Sequence, residues 1–434
     1  MPDGDNVAAP GIRIAPSPRL RETPFMTEPI VIVGGGHAAA QLCAGLAEAG
    51  QGARVHLVCG ERHLPYHRPP LSKTFLKNAD EAPQPHRAQG WYEEAGITLH
   101  LGDAAAAIDR AARTVTLQSG RVLPWGRLVL ATGTRARTLP LLAEPLDNVA
   151  VLRAADEAAR LRERLAAAQQ VVVLGGGFIG LEVAATAKAL GKAVTVLEAG
   201  PRLLGRAVSP ALSAHVLEVH RAAGIDVRLA VQASAFHVEQ GRVVHVALGD
   251  ERLPADLLLL GIGATPETAL AETAGLECAD GIVVDAFMQT SDPAVLAVGD
   301  CTRFPERRAG CALRLESVQN ANDQARTAVA TLTGAPRPHE ALAWFWSDQG
   351  SLRLQMAGLV PAEGTPGLQT VRRPGPNAAA FSLLHYVDGR LVCVESVNAP
   401  MDHIMSRKLL EAGRSPAPEV AADAAMPLKN HLAG

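Results

Sequence analysis

The chain has 434 residues, 48% hydrophobic and 20% charged, a length that predicts two or three globular domains rather than one core. Its 41 basic and 44 acidic residues leave a formal net charge of -3, which excludes a global positive field for nucleic acid or an anionic membrane, so any basic docking surface must be local. No apolar run approaches the roughly 20 residues of a membrane-spanning helix, and the six cysteines offer neither a C-x-x-C redox pair nor metal-ligand spacing, as expected of unpaired thiols in the reducing cytoplasm.

Residues 1–26 carry prolines at 2, 10, 16, 18 and 24 and no apolar h-region, so they read as a disordered extension rather than a secretory signal. A start at Met26 stays open beside that reading. The first structured element is the strand in Pro29-Ile-Val-Ile-Val, followed by Gly34-x-Gly36-x-x-Ala39, an Ala-rich helix and a second strand at Val55–Val58. This is the opening of a dinucleotide-binding βαβ unit. Gly34 permits the tight turn, Gly36 lets the backbone approach a pyrophosphate, and Ala39 lets the helix pack on the strand with its positive end toward the phosphates. Glu61, just past the strand end, is the candidate carboxylate for the nucleotide ribose. Ile97–Leu101 and Val115–Leu117 alternate like strands, and Arg127-Leu-Val-Leu reads as a buried strand that ends on a ligand at Thr132 and Gly133.

The pattern then repeats 141 residues on, at Val171-Val-Val-Leu and Gly175-x-Gly177-x-x-Gly180, with a second strand at Ala193–Leu197 and Glu198 at its end. One such glycine motif is often only a tight turn; two copies in βαβ context are specific. A carboxylate at Glu198 accepts ribose hydroxyls and repels a 2′-phosphate, favouring NAD over NADP. The nearby Arg202 and Arg206 keep NADP open. Leu257–Gly263 and Val295-Leu-Ala-Val are further buried strands that run into glycine and carry Gly261, Ile262 and Asp300 to strand ends. From Trp344 the pattern changes to the alternating strands Leu352–Met356, Ala380–Tyr386 and Arg390–Val394. The expected fold is α/β: two Rossmann-like dinucleotide-binding domains, one inserted in the other, and a C-terminal α/β cap. The boundaries expected are 27–140 and 265–343 for the first domain, 141–264 for the insert, 344–412 for the cap and 413–434 for a loosely packed Ala/Pro-rich tail.

Finer motifs carry a resemblance from about Ile30 to Lys408. They are Arg68-Pro-Pro-Leu-Ser-Lys73, Ala131-Thr-Gly-Thr-Arg135, Gly175-Gly-Gly-Phe-Ile-Gly-Leu-Glu-Val-Ala184, Gly299-Asp300-Cys301, Glu316-Ser-Val-Gln-Asn-Ala321 and Trp344-Phe-Trp-Ser-Asp-Gln349. Together they resemble the two-dinucleotide-domain flavoprotein reductases, in the branch of ferredoxin reductases that serve bacterial cytochrome P450 and Rieske oxygenase systems. The resemblance implies that FAD accepts a hydride from NADH and that electrons leave singly for a [2Fe–2S] ferredoxin. It implies FAD contacts at Ala38, Lys73, Ala105, Arg153, Asp300 and Val318, with Arg68, Thr132, Gly133 and Glu316 in the same cofactor motifs and Ile179 on the NAD side. It further implies that Lys73 pairs with Glu182 to close the nicotinamide site and that Trp346 lies near the flavin edge. Read without the family, Lys73 is a solvated loop lysine, Trp346 a core residue and Asp300 a helix cap.

Two departures stand out: Gly350-Ser351 where the branch has an aromatic-acidic pair, and Pro266-Glu267 where it has Pro-Asn. With no disulfide on the path, electrons must pass directly from flavin to an outside acceptor. An NADH oxidase or disulfide reductase of this fold places a cysteine in the loop that here reads His63-Leu-Pro-Tyr-His-Arg-Pro-Pro, which has none. Reduction of rubredoxin or another small acceptor stays open. Arg326 and Arg407 are the candidate docking cations for an acidic ferredoxin, and no metal site is expected.

Overall fold

The computed structural model describes residues 28–142 and 146–432, so the extension expected over 1–26 lies outside the described residues. The β-branched runs form two five-stranded parallel sheets. Across the first run Val295–Ala297, Arg127–Leu130, Ile30–Val33, Val55–Cys59 and Thr98–Leu101. Across the second run Asp226–Leu229, Ala193–Glu198, Gln170–Leu174, Leu257–Leu260 and Val149–Ala150. The inner strands Ile30–Val33 and Leu257–Leu260 are buried at every residue, as strands covered on both faces must be, which explains their unbroken apolar sequence.

The helices His37–Glu48 and Phe178–Ala189 leave the central strands of the two sheets at the fingerprint glycines. Gly34 has φ +128°, and a Cβ there would stand 2.1 Å from the Ala131 carbonyl oxygen; at Gly180 it would stand 2.4 Å from the Gly175 oxygen. These positions need glycine because backbone meets backbone. The chain reaches the second sheet and returns through an antiparallel pair, Thr134–Ala136 with Ala264–Pro266.

The C-terminal segment forms an antiparallel sheet in the order Trp344–Gln349, Leu352–Gly358, Arg390–Val397, Phe381–Val387 and Leu368–Pro374. Helix Pro400–Glu411 packs against it. Its residues Leu352, Leu354, Phe381 and Val397 share one hydrophobic core with Val183, Val196 and Leu212 of the second unit, so the cap is seated on that unit. The first hairpin turns at Gly350, whose φ of +62° suits glycine, so the departure at Gly350-Ser351 meets a tight turn. At the other departure, Glu267 pairs with Arg135 at 3.3 Å.

One expectation fails. The tail is not loosely packed: it forms a helix at Pro418–Ala422 and a short turn at Leu428–His431, with Ala421 and Leu428 buried beside Tyr386 and Leu409. Arg373 donates to the carbonyls of Ala421 at 3.0 Å and Asp423 at 2.6 Å. A few apolar residues and one buried guanidinium anchor a segment whose composition reads as a linker.

Candidate active site

Both fingerprints open on one cavity of about 1380 Å³, larger than the roughly 300–1000 Å³ that holds a single small ligand. Its wall includes Gly36 and Ala38 from the first fingerprint and Gly175, Gly177 and Ile179 from the second. Neither helix start is closed by a side-chain cap, and a Cβ at Gly36 would meet nothing within 4 Å. Backbone N–H groups at two helix N-termini therefore face open space, the arrangement that receives a pyrophosphate. The residues present fit two dinucleotides.

Glu182, on the helix after the second fingerprint, is only 4% exposed and is held from three directions. Lys73 Nζ lies 2.6 Å and Ser72 Oγ 2.5 Å from its Oε2, and Ser347 Oγ donates to Oε1 at 2.6 Å. The predicted Lys73–Glu182 pair is thus brought together; the two serines were missed. Trp346 lines the same cavity, next to Trp344 at a ring distance of 5.5 Å. Phe345 packs on Phe178 at 4.5 Å, joining cap to second fingerprint.

Arg68, Gly133, Arg153, Asp300, Glu316 and Val318 stand on the cavity wall near the first fingerprint. Arg153 Nη2 meets Asp300 Oδ2 at 2.8 Å. Burial pushes the Asp300 carboxyl above its ordinary range by more than Arg153 pulls it down. On the second side, Glu198, Arg202, Gly261 and Ile262 line the wall. Glu198 accepts from the backbone N–H of Gly176 and of Gly200, both at 2.6 Å. Arg202 is turned to the Val208 carbonyl at 2.8 Å, whereas Arg206 also faces the cavity.

Other predicted residues lie off the wall. Gly34, Gly180 and the fully buried Ala39 shape the turns instead of lining the space. Thr132 donates to the Glu267 carbonyl at 2.7 Å. Ala105 begins an edge strand paired with Thr114–Leu117, outside the cavity. Glu61 is engaged by Tyr66 Oη at 2.6 Å and by Arg68 at 2.7 Å. Burial pushes the Glu61 carboxyl up, but Arg68 and the tyrosine outweigh it and hold the group below its ordinary value. The six cysteines are free, and none reaches the wall. Burial raises the Cys59 thiol to about 12, which keeps it protonated.

Residues 28–325 match the family described as pyridine nucleotide-disulphide oxidoreductase, and residues 344–432 match a reductase C-terminal domain. The chain is 40% identical to terpredoxin reductase of a Pseudomonas species, over 93% of this chain and 97% of that one. The chain belongs to the pyridine nucleotide-disulphide oxidoreductases, in the ferredoxin reductase branch. A ferredoxin reductase for the CYP199A2 system of Rhodopseudomonas palustris superposes with a TM-score of 0.88 at 42% identity, covering 93% of this chain and 99% of the other. The reductase in the covalent putidaredoxin reductase–putidaredoxin complex gives 0.87 at 38%, covering 94% and 98%. This ferredoxin reductase is an enzyme that uses FAD and NAD(H). Among its described residues no helix is long and apolar enough to cross a membrane.

Proposed function

We propose that this reductase oxidises NADH and passes the electrons one at a time to a [2Fe–2S] ferredoxin serving a P450 or Rieske-type oxygenase. The observation that carries this is one cavity walled by two dinucleotide fingerprints and the aromatic cap, with no cysteine on it. Bound FAD supplies the change from two-electron to one-electron chemistry. The residues do the rest. The first fingerprint with Arg153 and Asp300 holds FAD, and the second with Glu198 holds NADH. The Lys73 ammonium, held by Glu182, puts positive charge on the cavity wall, where it would favour a reduced, negatively charged flavin.

Docking is assigned to the side of the cap helix. Arg407 lies over the Trp344 ring at 4.3 Å, and Trp344 adjoins Trp346, so one half-buried cation leads to the cavity through two indoles. Asp323, the ion-pair partner of Arg326, lines a small groove with Arg407 and Trp344. Both arginines thus flank one surface. They are paired on their own helices, with Asp323 and Glu411, and a ferredoxin carboxylate competes with those partners. The test is rapid mixing: NADH bleaches the yellow holoenzyme, and reoxidation is fast when a [2Fe–2S] ferredoxin is added. Fast reoxidation by rubredoxin but not by ferredoxins moves the acceptor; fast reoxidation by oxygen alone overturns the reading.

A further inference from the structure

Beside the first fingerprint, three histidines from separate segments converge: His37 at the start of helix His37–Glu48, His67 beside the Arg68 motif, and His86. One ring nitrogen from each lies within 4.8 Å of the others. Spacing alone hides this cluster, because 30 and 19 residues separate its members. His37 is 8% exposed, and the Nε2 atoms of His37 and His86 are buried with no hydrogen-bond partner. Two buried imidazole nitrogens without a hydrogen-bond partner normally carry an unfavourable desolvation cost.

We propose that His37, His67 and His86 form a binding site for one zinc-class divalent ion. Imidazole nitrogens suit zinc and its borderline neighbours, and three of them with an open fourth position are a recurrent zinc set. A tetrahedral ion with Zn–N bonds of about 2.0–2.1 Å needs its nitrogens about 3.4 Å apart, so the rings must close by at most about 1.4 Å. His67 is exposed and free to turn. The nearby cations are locally compensated, Arg68 by Glu61 at 2.7 Å and Arg153 by Asp300 at 2.8 Å, while Arg87 extends over the Trp91 ring at 5.6 Å. The ion would tie the start of helix His37–Glu48 to two segments already joined by backbone bonds, His67 N to the Gln84 oxygen at 2.9 Å and His86 N to the Pro65 oxygen at 2.8 Å.

The test is calorimetric titration of tag-free holoenzyme with zinc chloride, compared with His67→Ala/His86→Ala; His37 is left intact because it lines the cofactor cavity. One ion per chain is expected, weakened at least about 100-fold in the variant, since losing even an outer-shell partner costs 10–100-fold. Bound FAD and circular dichroism report whether the variant keeps its fold. X-ray absorption of the wild-type zinc complex is expected to show three imidazole ligands and no sulfur, independent of any variant. Sulfur ligation, equal binding by wild type and a folded variant, or no binding by the wild type overturns the site without touching the assignment of FAD and NADH.

Discussion

Replacing Glu198 tests the nucleotide assignment most directly, provided its two roles are separated. Its carboxylate supports the second glycine turn through two 2.6 Å bonds from Gly176 and Gly200, and it lines the cavity. Loss of turn support lowers kcat/KM for NADH and NADPH alike, so it cancels in their ratio. Loss of the ribose contact does not cancel. One hydrogen bond to a charged group contributes about 1.5–3 kcal/mol. Repulsion between unit charges 4 Å apart is about 4 kcal/mol at an effective dielectric of 20, and less at a half-buried site open to salt. Allowing about 1 kcal/mol for the screened repulsion, Glu198→Ala shifts the NADH/NADPH ratio by about 2.5–4 kcal/mol, or about 70- to 900-fold. Glu198→Gln keeps an acceptor but drops the charge, so its shift is smaller. The assay is initial-rate ferricyanide reduction with each coenzyme, normalised to bound FAD. Equal losses for both coenzymes, with the ratio unchanged, would refute ribose recognition and leave Glu198 as turn support only.

Ser347→Ala removes a donor from a buried carboxylate and is expected to slow flavin bleaching by NADH about 10-fold or more, with FAD retained; an unchanged rate means Ser347 does not position Glu182. Arg407→Glu is expected to raise the KM for ferredoxin and weaken its salt dependence while ferricyanide reduction stays nearly constant; parallel losses place the residue in the fold. Gly180→Ala puts a Cβ 2.4 Å from the Gly175 oxygen and is expected to cost about 1–3 kcal/mol, read as a lower unfolding midpoint. His403 is 2% exposed, and burial, with Arg407 and Arg353, lowers it to about 4. The unfolded chain binds its proton near 6.5 and the folded chain near 4, so stability falls as pH drops through that window, by up to about 3 kcal/mol. His403→Leu is expected to flatten that part of the stability–pH curve, and an identical curve rejects the assignment.

The parallel sheets were legible because a strand buried on both faces leaves an unbroken β-branched run, and because a turn where backbone meets backbone demands glycine. Ile30–Val33 with Gly34, and Gln170–Leu174 with Gly175, carry both marks. The Lys73–Glu182 pair was legible only through a family motif; nothing local to either residue announces it. Ser72 and Ser347 were not legible, since they stand 110 and 165 residues from the carboxylate they serve. The tail misled because Ala and Pro dominate its composition, while its anchors, Ala421, Leu428 and the distant Arg373, are few. Ala105 shows the limit of carrying a contact over by position, since its strand borders the first unit away from the cavity wall.

The cap completes the wall of the candidate site. Glu182 belongs to the second unit, yet its hydrogen-bond donors come from the Arg68–Lys73 loop of the first unit and from the first strand of the cap. A carboxylate at 4% exposure is costly unless paired and fully hydrogen-bonded, so any arrangement that withdraws the cap leaves Oε1 without the Ser347 hydroxyl. A second buried carboxylate works the same way on the opposite side of that contact. Glu395 of the cap is fully buried, accepts from the Ser209 backbone N–H of the second unit at 2.9 Å and meets His385 Nε2 at 3.0 Å. Two acidic groups, one from each side of the interface, are thus satisfied only when the cap is seated. Hydrophobic contact supplies the adhesion there, and the carboxylates select the register. That register sets Trp346 and Lys73 on the wall of the same cavity.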